Sequence, residues 1–463
     1  MNFDKKIDSF KEEVIKNTQE IVKIKSVEDK THHEYPFGEG VHNTLLFTLD
    51  LAASLGFETK NMDDHVGYAE YGEGDEMLGI LVHLDVVPEG DGWSYDPYGA
   101  QIIDGKIYGR GTTDDKGPAI SSLYAIKALI DSDVKFNKRV RIIFGLNEET
   151  HWESINYYVE HEEIPTMSIV PDADFPVIYG EKGIIVFDLA KGFSDFIDDG
   201  GIEILEITGG NAPNMVPDYA KAIIKSKMDL KSMVDAYNYD YNATVSIESL
   251  GDDEYEIESK GVSAHGSRPD KGINAISHLI KFLDNIDLQI GDQSTFIRTI
   301  SRHIGLEYNG QNIGCGFEDE ESGKLVLNIG MIKTDREKGS LTINIRYPVT
   351  GSYEDVVSGI NETIDYAKID YVEDEHIPPL FVDKNSAMIQ KLMKVYNDYT
   401  GRNDMPKTIG GGTYARSMPN AVAFGGAFPW QEDLAHQKDE FIAIDDLMLM
   451  TKIYAKAFYE LLV

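Results

Sequence analysis

A chain of 463 residues with 42% hydrophobic residues is long enough to bury a sizeable core, which excludes a mini-protein and a globally disordered chain. Lys and Arg together number 43, and Asp and Glu together number 80, so the formal net charge is −37. Because this charge repels nucleic acid phosphates and anionic lipids, we expect neither nucleic acid nor a membrane as a partner.

The single cysteine, Cys315, cannot form an intramolecular disulfide, and secreted proteins of this size more often carry paired cysteines. The first 24 residues mix charged and apolar residues at helical spacing, which predicts an amphipathic helix and not a signal peptide. No run of 18 apolar residues indicates a transmembrane helix. We therefore expect a cytoplasmic protein.

Over the first 180 residues, apolar segments of strand length alternate with helical patterns, which is typical of βαβ units. The segments 78–87, 140–146 and 167–170 are apolar enough to be strands buried on both faces. Apolar residues recur at helical period over 115–132, and Asp114 stands where the N-cap of that helix is expected. This part of the chain predicts an α/β fold with a mostly parallel sheet and flanking helices.

The pattern changes near residue 184 to acidic, β-branched segments mixed with helical ones, which predicts an α+β domain. A helix over 387–400, a strand over 421–425 and a C-terminal helix from about Ile444 follow this region. We therefore expect one domain made of residues 1–183 and 381–463, with residues 184–380 forming a domain inserted into it.

Ionisable residues follow each of the predicted strands. His83 and Asp85 occur in HLDVVP, and an H-x-D pair on extended backbone points both side chains the same way, so Asp85 can hold the His83 nitrogen that faces away from a metal. Asp114 and Asp115 occur in GRGTTDDKGP, whose glycines allow close approach but whose spacing is not that of a phosphate loop. A hydrogen-bonded strand-end histidine and a helix-capping aspartate are the structural alternatives.

Further acids and a histidine occupy similar positions. Glu148 and Glu149 follow the second strand in NEET, so one can ligate a metal while the other faces a substrate. Asp172 follows the third strand, and His436 follows a Gly-rich turn and a strand, but an aspartate after a strand is usually a turn former, and neither residue alone indicates a functional site. Since carboxyl ends of parallel strands meet at one sheet edge, the combined set predicts a two-metal site that activates water for hydrolysis.

The segments HLDVVPEGDGW, GRGTTDDKGP, NEET and PDADFP, followed by NMV, SAHGSRP, NIRYP and GGGTYAR, occur in the order of a known family. From about residue 20 onwards the chain resembles the cocatalytic metallopeptidases related to aminoacylase and glutamate carboxypeptidase, and most closely the peptidase V-type dipeptidases. The resemblance implies a catalytic α/β domain with an inserted α+β lid domain. It also implies hydrolysis of unblocked dipeptides with two divalent metal ions per chain, zinc being favoured over manganese or cobalt.

The resemblance assigns the metal ligands residue by residue. One ion would be held by His83, Asp114 and Asp172. The other would be held by Asp114, Glu149 and His436. The D-x-K-G register points to Asp114, and not to its neighbour Asp115, as the bridging carboxylate. Glu148 would be the general base that takes a proton from water and passes it to the leaving amine, and Asp85 would orient His83.

The resemblance also implies substrate-binding residues. In the inserted domain, His265 would donate a hydrogen bond to the substrate carbonyl oxygen, and Asn214 and Arg346 would bind the terminal carboxylate. In the Gly-rich turn the secondary candidates are Thr413, Tyr414 and Arg416. The structural alternatives are an exposed strand charge for Arg346 and a turn histidine for His265.

Alternative functions stay open on the same residues. An N-acyl-amino-acid deacylase or a tripeptidase would use identical metal ligands, and only the substrate pocket would differ. A non-catalytic peptide-binding paralogue would lack the base or a ligand, and the full set is present here. Because the predicted inserted domain resembles the enlarged lid of peptidase V types, we expect a monomer.

Overall fold

The computed structural model describes residues 2–31 and 34–463. The chain forms two compact units. The first runs up to Gly180 and continues over Val382–Thr408 and Gly412–Val463. The second consists of Glu181–Phe381 and the short segment Ile409–Gly411, so it is inserted into the chain of the first.

The first unit is built on a mixed sheet flanked by helices. Its main strands are β1 Glu58–Met62, β2 Val66–Tyr71, β3 Met77–His83, β4 Arg139–Gly145, β5 Met167–Val170, β6 Val177–Glu181 and β7 Ala421–Phe424. Its helices are α1 Asp4–Ser9, α2 Lys11–Val22, α3 Glu39–Ser54, α4 Lys116–Ile130, α5 Glu153–His161, α6 Ala387–Thr400 and α7 Ile444–Leu462. Shorter strands are Gln101–Ile103, Lys106–Tyr108, Ala173–Asp174, Lys407–Ile409, Gly426–Ala427 and Phe441–Ala443.

The strand order in this sheet is β1-β2-β4-β3-β5-β7-β6. The central strands β4, β3, β5 and β7 are parallel, whereas β1, β2 and β6 add antiparallel pairs at the edges. Every residue of β3 is buried, as is every residue of β4 after Arg139, because helices cover both faces of the parallel centre. The carboxyl ends of β3, β4 and β5 therefore lie at the same sheet edge.

Three local predictions differ from the structure. The strand expected over 78–87 ends at His83, beyond which Val86 N–H donates to the carbonyl of Ser26 instead of continuing the sheet. The N-cap of α4 is Asp115 and not Asp114, so that prediction was wrong. The single helix expected at the N-terminus is divided into α1 and α2 at Phe10, whose backbone leaves the helical region.

The second unit is an antiparallel sheet with helices. Its strands are Gly183–Gly192, Glu203–Gly209, Tyr219–Lys225, Thr244–Gly251, Glu254–Lys260, Val326–Thr334, Lys338–Tyr347 and Asp370–Ile377. Its helices are Lys231–Tyr241, Ala275–Asp284, Asp292–His303 and Tyr353–Ile364, with one-turn 3₁₀ segments at Pro269–Lys271 and Asp365–Ala367. Short strands are Glu318–Asp319, Gly323–Lys324 and Leu380–Phe381. The unit has its own buried core, and the predicted α/β fold with an inserted α+β domain is confirmed.

Within residues 2–31 and 34–463, we find no helix with the length and apolar character that crossing a bilayer requires.

Candidate metal centre

The ionisable residues that follow the parallel strands converge at one edge of the first unit's sheet. His83 is the last residue of β3, Glu148 and Glu149 come three and four residues after β4 ends at Gly145, and Asp172 comes two residues after β5 ends at Val170. Asp114 reaches the same place from the loop before α4. The convergence follows from the parallel pairing of β3 with both neighbours.

Asp114 lies between the two histidines. Its Oδ1 is 2.8 Å from His83 Nε2, and its Oδ2 is 3.0 Å from His436 Nε2. Asp115 behaves differently: it is fully buried, and its Oδ2 accepts the backbone N–H of His83 at 3.1 Å. The two adjacent aspartates therefore differ in their contacts: each carboxylate oxygen of Asp114 contacts a histidine ring, whereas Asp115 contacts a backbone N–H.

Two groups of possible ligand residues occur at this edge, and they share His83. Atoms of His83, Asp114 and Glu149 lie within 4.8 Å of one another, and so do atoms of His83, Glu148 and Asp172. His436 Nε2 is 3.0 Å from Glu149 Oε2, and His83 Nε2 is 3.7 Å from Asp172 Oδ2. The structure therefore brings together the histidines and carboxylates that the sequence singled out as ligands.

Asp85 connects two strand ends beneath these groups. The Nδ1 of His83 is 3.0 Å from the Asp85 carbonyl oxygen and 3.4 Å from its Oδ1. The carboxylate oxygens of Asp85 also accept the backbone N–H groups of Glu148 and Glu149, both at 3.1 Å. The H-x-D spacing predicted the contact with His83, but nothing in it indicated the contacts with the two glutamates.

The crowding of acids changes their pKa values. Burial, followed by the charge of Asp172, raises the pKa of Glu148 well above its usual value. Burial and the charge of Asp114 likewise raise the pKa values of Glu149 and Asp172. Hydrogen bonds with Asp114 and then Glu149 raise the pKa of His436 to about 11. Burial opposes the charged form of Asp114, but its hydrogen bonds with His436 and His83 outweigh this and lower its pKa.

These residues fit a divalent metal. Clustered carboxylates with raised pKa values repel one another, and a cation placed among them removes that repulsion. The donors are imidazole nitrogens and carboxylate oxygens, which zinc, manganese and cobalt all accept. His83 Nδ1 lies against the Asp85 carbonyl oxygen, to which an Nδ1–H can donate a hydrogen bond. The lone pair that can bind a metal is then on Nε2, which faces the Asp114 carboxylate.

Thr413, Tyr414 and Arg416 of the Gly-rich turn belong to the first unit, and Tyr414 lies beside this centre. Tyr414 is 1% exposed, its ring centroid is 6.5 Å from that of His83, and its buried hydroxyl has no hydrogen-bond partner within the described parts of the chain. Thr413 is buried and accepts the N–H of Ala415 at 3.2 Å, while Arg416 is partly exposed. Tyr414 therefore packs against a proposed ligand, and substrate contact by the three residues stays a prediction.

The other predicted substrate-binding residues belong to the second unit. The carbonyl of Asn214 accepts the N–H of Gly266 at 2.7 Å, which joins the Asn214 segment to that of His265. His265 Nδ1 lies 2.7 Å from Ser267 Oγ and also accepts the N–H of Ser267 at 3.1 Å. Arg346 is 6% exposed and donates from Nε to Asn344 at 2.9 Å, which makes it a buried residue and not an exposed strand charge.

Sequence reasoning missed one buried acid near the centre. Glu440 is fully buried, and its carboxylate accepts the backbone N–H groups of Gly111 and Thr113 at 3.1 and 2.9 Å. The sequence did offer a signal: Glu440 comes four residues after His436, and Arg110 in GRG is a possible partner for a buried acid.

Comparison with known proteins gives concordant matches. The model of Peptidase family M20/M25/M40 matches residues 79–460. A Bacillus subtilis (strain 168) protein named "Putative dipeptidase YtjP" is 40% identical over 100% of both chains. A Staphylococcus haemolyticus protein named "Putative dipeptidase SH1171" is 36% identical over 99% of both chains.

Solved structures also match over nearly the full length. Human carnosine dipeptidase 1 has a TM-score of 0.57 at 14% identity, covering 99% of this chain and 98% of that one. Aminoacylhistidine dipeptidase from Vibrio alginolyticus has a TM-score of 0.58 at 16% identity, covering 96% of both chains. At these identities the likeness concerns the fold alone.

Proposed function

The chain belongs to peptidase family M20/M25/M40, and on that premise we propose that it is a metal-dependent dipeptidase that hydrolyses unblocked dipeptides. Family membership and the full-length relatives make it a peptide-bond hydrolase. The names of the relatives that are 40% and 36% identical support the dipeptide as substrate. The observation that carries the proposal is the placement of Asp114 between His83 and His436, with further carboxylates around them.

We propose two divalent ions, with zinc favoured over manganese or cobalt. His83, Asp114 and Asp172 would hold one ion. Asp114, Glu149 and His436 would hold the other. The separate histidine contacts of the two Asp114 oxygens support a bridging role for that carboxylate. When bound, such a pair of ions polarises the scissile carbonyl and lowers the pKa of a water molecule.

Glu148 is the proposed general base. Its backbone N–H is held by Asp85, and its carboxylate lies in the cluster with His83 and Asp172. A raised pKa brings a carboxylate closer to the pH at which proton transfer is efficient. Glu148 would take the proton of the attacking water and deliver it to the leaving amine.

Substrate recognition by the second unit stays a prediction from the resemblance. Asn214 and Arg346 would bind the free carboxylate of the dipeptide, for which a guanidinium offers a bidentate fork. His265 would donate to the carbonyl oxygen as negative charge develops there.

The location and oligomeric state are also proposals. We expect a cytoplasmic monomer that acts on small peptides. Burial raises the pKa of the Cys315 thiol to about 12, so little thiolate forms and this cysteine is a poor nucleophile. Light scattering of the purified protein would test the monomer, and a stable dimer would contradict it.

The test is hydrolysis of Ala-Ala, β-Ala-His, Ala-D-Ala, Ala-Ala-Ala and N-acetyl-Ala-Ala by metal-stripped protein, with zinc, manganese or cobalt added back. We expect metal-dependent cleavage of unblocked dipeptides only. Glu148→Gln should lower kcat by about 10²–10⁴-fold because it removes the proton acceptor. Glu160→Gln is the matched control, since Glu160 is exposed on α5.

The other outcomes would indicate a different substrate, a different base or a protein that only binds peptides. Efficient cleavage of the acetylated peptide would indicate the deacylase, and preference for Ala-Ala-Ala would indicate the tripeptidase. Full activity of Glu148→Gln would overturn the assignment of the base. Absence of turnover with every metal would favour a peptide-binding paralogue.

A further inference from the structure

The buried carboxylate of Glu440 collects donors from a single loop. Its Oε2 accepts Arg110 Nη1 at 2.8 Å and Gly111 N–H at 3.1 Å. Its Oε1 accepts the N–H and the hydroxyl of Thr113 at 2.9 and 3.0 Å. The Glu440 carbonyl in turn accepts Gly109 N–H at 2.9 Å. Loop 109–113 is therefore fixed to one residue from the far end of the chain.

Both partners of this contact adjoin proposed metal ligands. Loop 109–113 is followed immediately by Asp114, and Glu440 lies four residues after His436. The His436 side chain is 53% exposed, and its imidazole contacts Asp114 and Glu149, which are themselves proposed ligands. Gly111 has φ = 86°, a conformation that favours glycine and presents its N–H to Glu440. The Glu440 contacts thus connect the segments whose ligands meet at 3.0 Å.

Stability alone is a weak reason for a buried Arg110–Glu440 ion pair, in which the side chains are 2% and 0% exposed. The desolvation of two charges offsets most of their attraction, and apolar residues of similar volume often stabilise a fold as well. What the pair supplies is geometry, because each carboxylate oxygen accepts one backbone N–H and one side-chain donor of the same loop.

We propose that Glu440 is a positioning residue that sets the separation of Asp114 and His436 for metal binding. The inference rests on the proposed function, because it assumes that both residues are metal ligands. It assigns to Glu440 no contact with substrate or with the reacting atoms.

Glutamine is an informative substitution at this position. Its amide has the shape of the carboxylate but replaces one acceptor oxygen by an NH₂ group. Because both oxygens of Glu440 accept hydrogen bonds, either orientation of the amide places donors against donors. Glu440→Gln also leaves the buried Arg110 without its counter-charge.

The experiment is calorimetric titration of Zn²⁺ into metal-stripped wild type, Glu440→Gln and the control Glu432→Gln. Glu432 carries the same charge on the same segment and is exposed. We expect Glu440→Gln to weaken zinc binding by about 10–100-fold, most at the site that includes His436, and the control to match the wild type. Circular dichroism and thermal melting of each metal-stripped protein report whether it is folded at the titration temperature.

A lower melting temperature with unchanged zinc affinity would overturn the proposal, because a purely structural role gives that result. If Glu440→Gln does not fold, Thr113→Val decides: it removes only the hydroxyl contact at 3.0 Å, and it should weaken zinc binding in the same direction by a smaller factor. Unchanged affinity in that variant would overturn the inference. Failure of the wild type to bind zinc, manganese or cobalt would instead overturn the proposed function, and the inference with it.

Discussion

At the residue scale, the Asp85 carboxylate is buried between the ends of β3 and β4 and serves three neighbours. It lies 3.4 Å from His83 Nδ1, and it accepts the backbone N–H groups of Glu148 and Glu149. One side chain therefore controls the orientation of a proposed ligand and the path of the turn that carries the proposed base. The hydrogen-bond partners of metal-binding histidines commonly affect both metal affinity and activity.

We expect Asp85→Asn to lower both zinc affinity and kcat by about 10–100-fold, because an amide NH₂ would face a backbone N–H in place of an acceptor. Calorimetry with Zn²⁺ and steady-state kinetics on Ala-Ala measure the two effects. Asp91→Asn, at an exposed position of the following loop, is the control. If kcat of Asp85→Asn equals that of wild type, the position of Glu148 does not depend on this carboxylate.

At the element scale, the sequence predicted the helices and strands whose ends depend on neighbouring residues in the chain. Strand β5 over Met167–Val170, helix α6 over Ala387–Thr400 and the start of α7 at Ile444 agree with the sequence-based predictions. Strand β3 ends earlier than predicted because Val86 pairs with Ser26, a long-range contact. The Glu440 contact with Thr113 spans 327 positions, so no local periodicity could reveal it.

In the candidate site, too, some features could be predicted from the sequence and others depend on contacts between distant residues. The parallel order of strands explains why His83, Glu149 and Asp172 could be grouped from sequence: each follows a strand. Choosing Asp114 over Asp115 required the family register, and the geometry now separates the two by their partners. The backbone contacts of Asp85 depend on how two strand ends approach each other, which composition and spacing do not determine.

Helix Asp292–His303 in the second unit begins with a residue that links pH to stability. Asp292 accepts the N–H groups of Ser194 and Asp195, both at 3.0 Å, and its other oxygen lies 3.2 Å from Lys191 Nζ. These contacts, the backbone hydrogen bonds first, lower its pKa to about 2. Because the folded state binds the proton less readily than the unfolded state, the stabilisation is present at neutral pH and is lost as pH falls from about 4 through 2.

We expect Asp292→Asn to reduce the free energy of unfolding by about 1–2 kcal/mol at pH 7 and by much less near pH 2. Urea unfolding followed by circular dichroism at several pH values measures the difference from wild type. Asp198→Asn is the control, because Asp198 is exposed in the loop between the strands Gly183–Gly192 and Glu203–Gly209. An equal loss at both pH values would show that the charge of Asp292 is not the cause.

At the scale of the whole molecule, the two units differ in what a metal should do to them. Every proposed metal ligand belongs to the first unit, where the ligand segments are the ends of β3, β4 and β5, the loop before α4 and the segment around His436. A ligand that binds only the folded state stabilises it, by about 2.7 kcal/mol at a free concentration of 100 Kd. Zinc should therefore slow amide hydrogen exchange in those segments.

Hydrogen exchange monitored by mass spectrometry, on metal-stripped protein with and without added zinc, tests this expectation. Protection should rise over 83–86, 111–116, 147–150 and 436–440, while the edge strand Thr244–Gly251 of the second unit should exchange at the same rate in both samples. The strand is a suitable internal control because its own sheet and core do not include a proposed ligand. Equal protection of that strand and of the ligand segments would mean that zinc acts on the whole chain and not through the carboxylates gathered at the sheet edge.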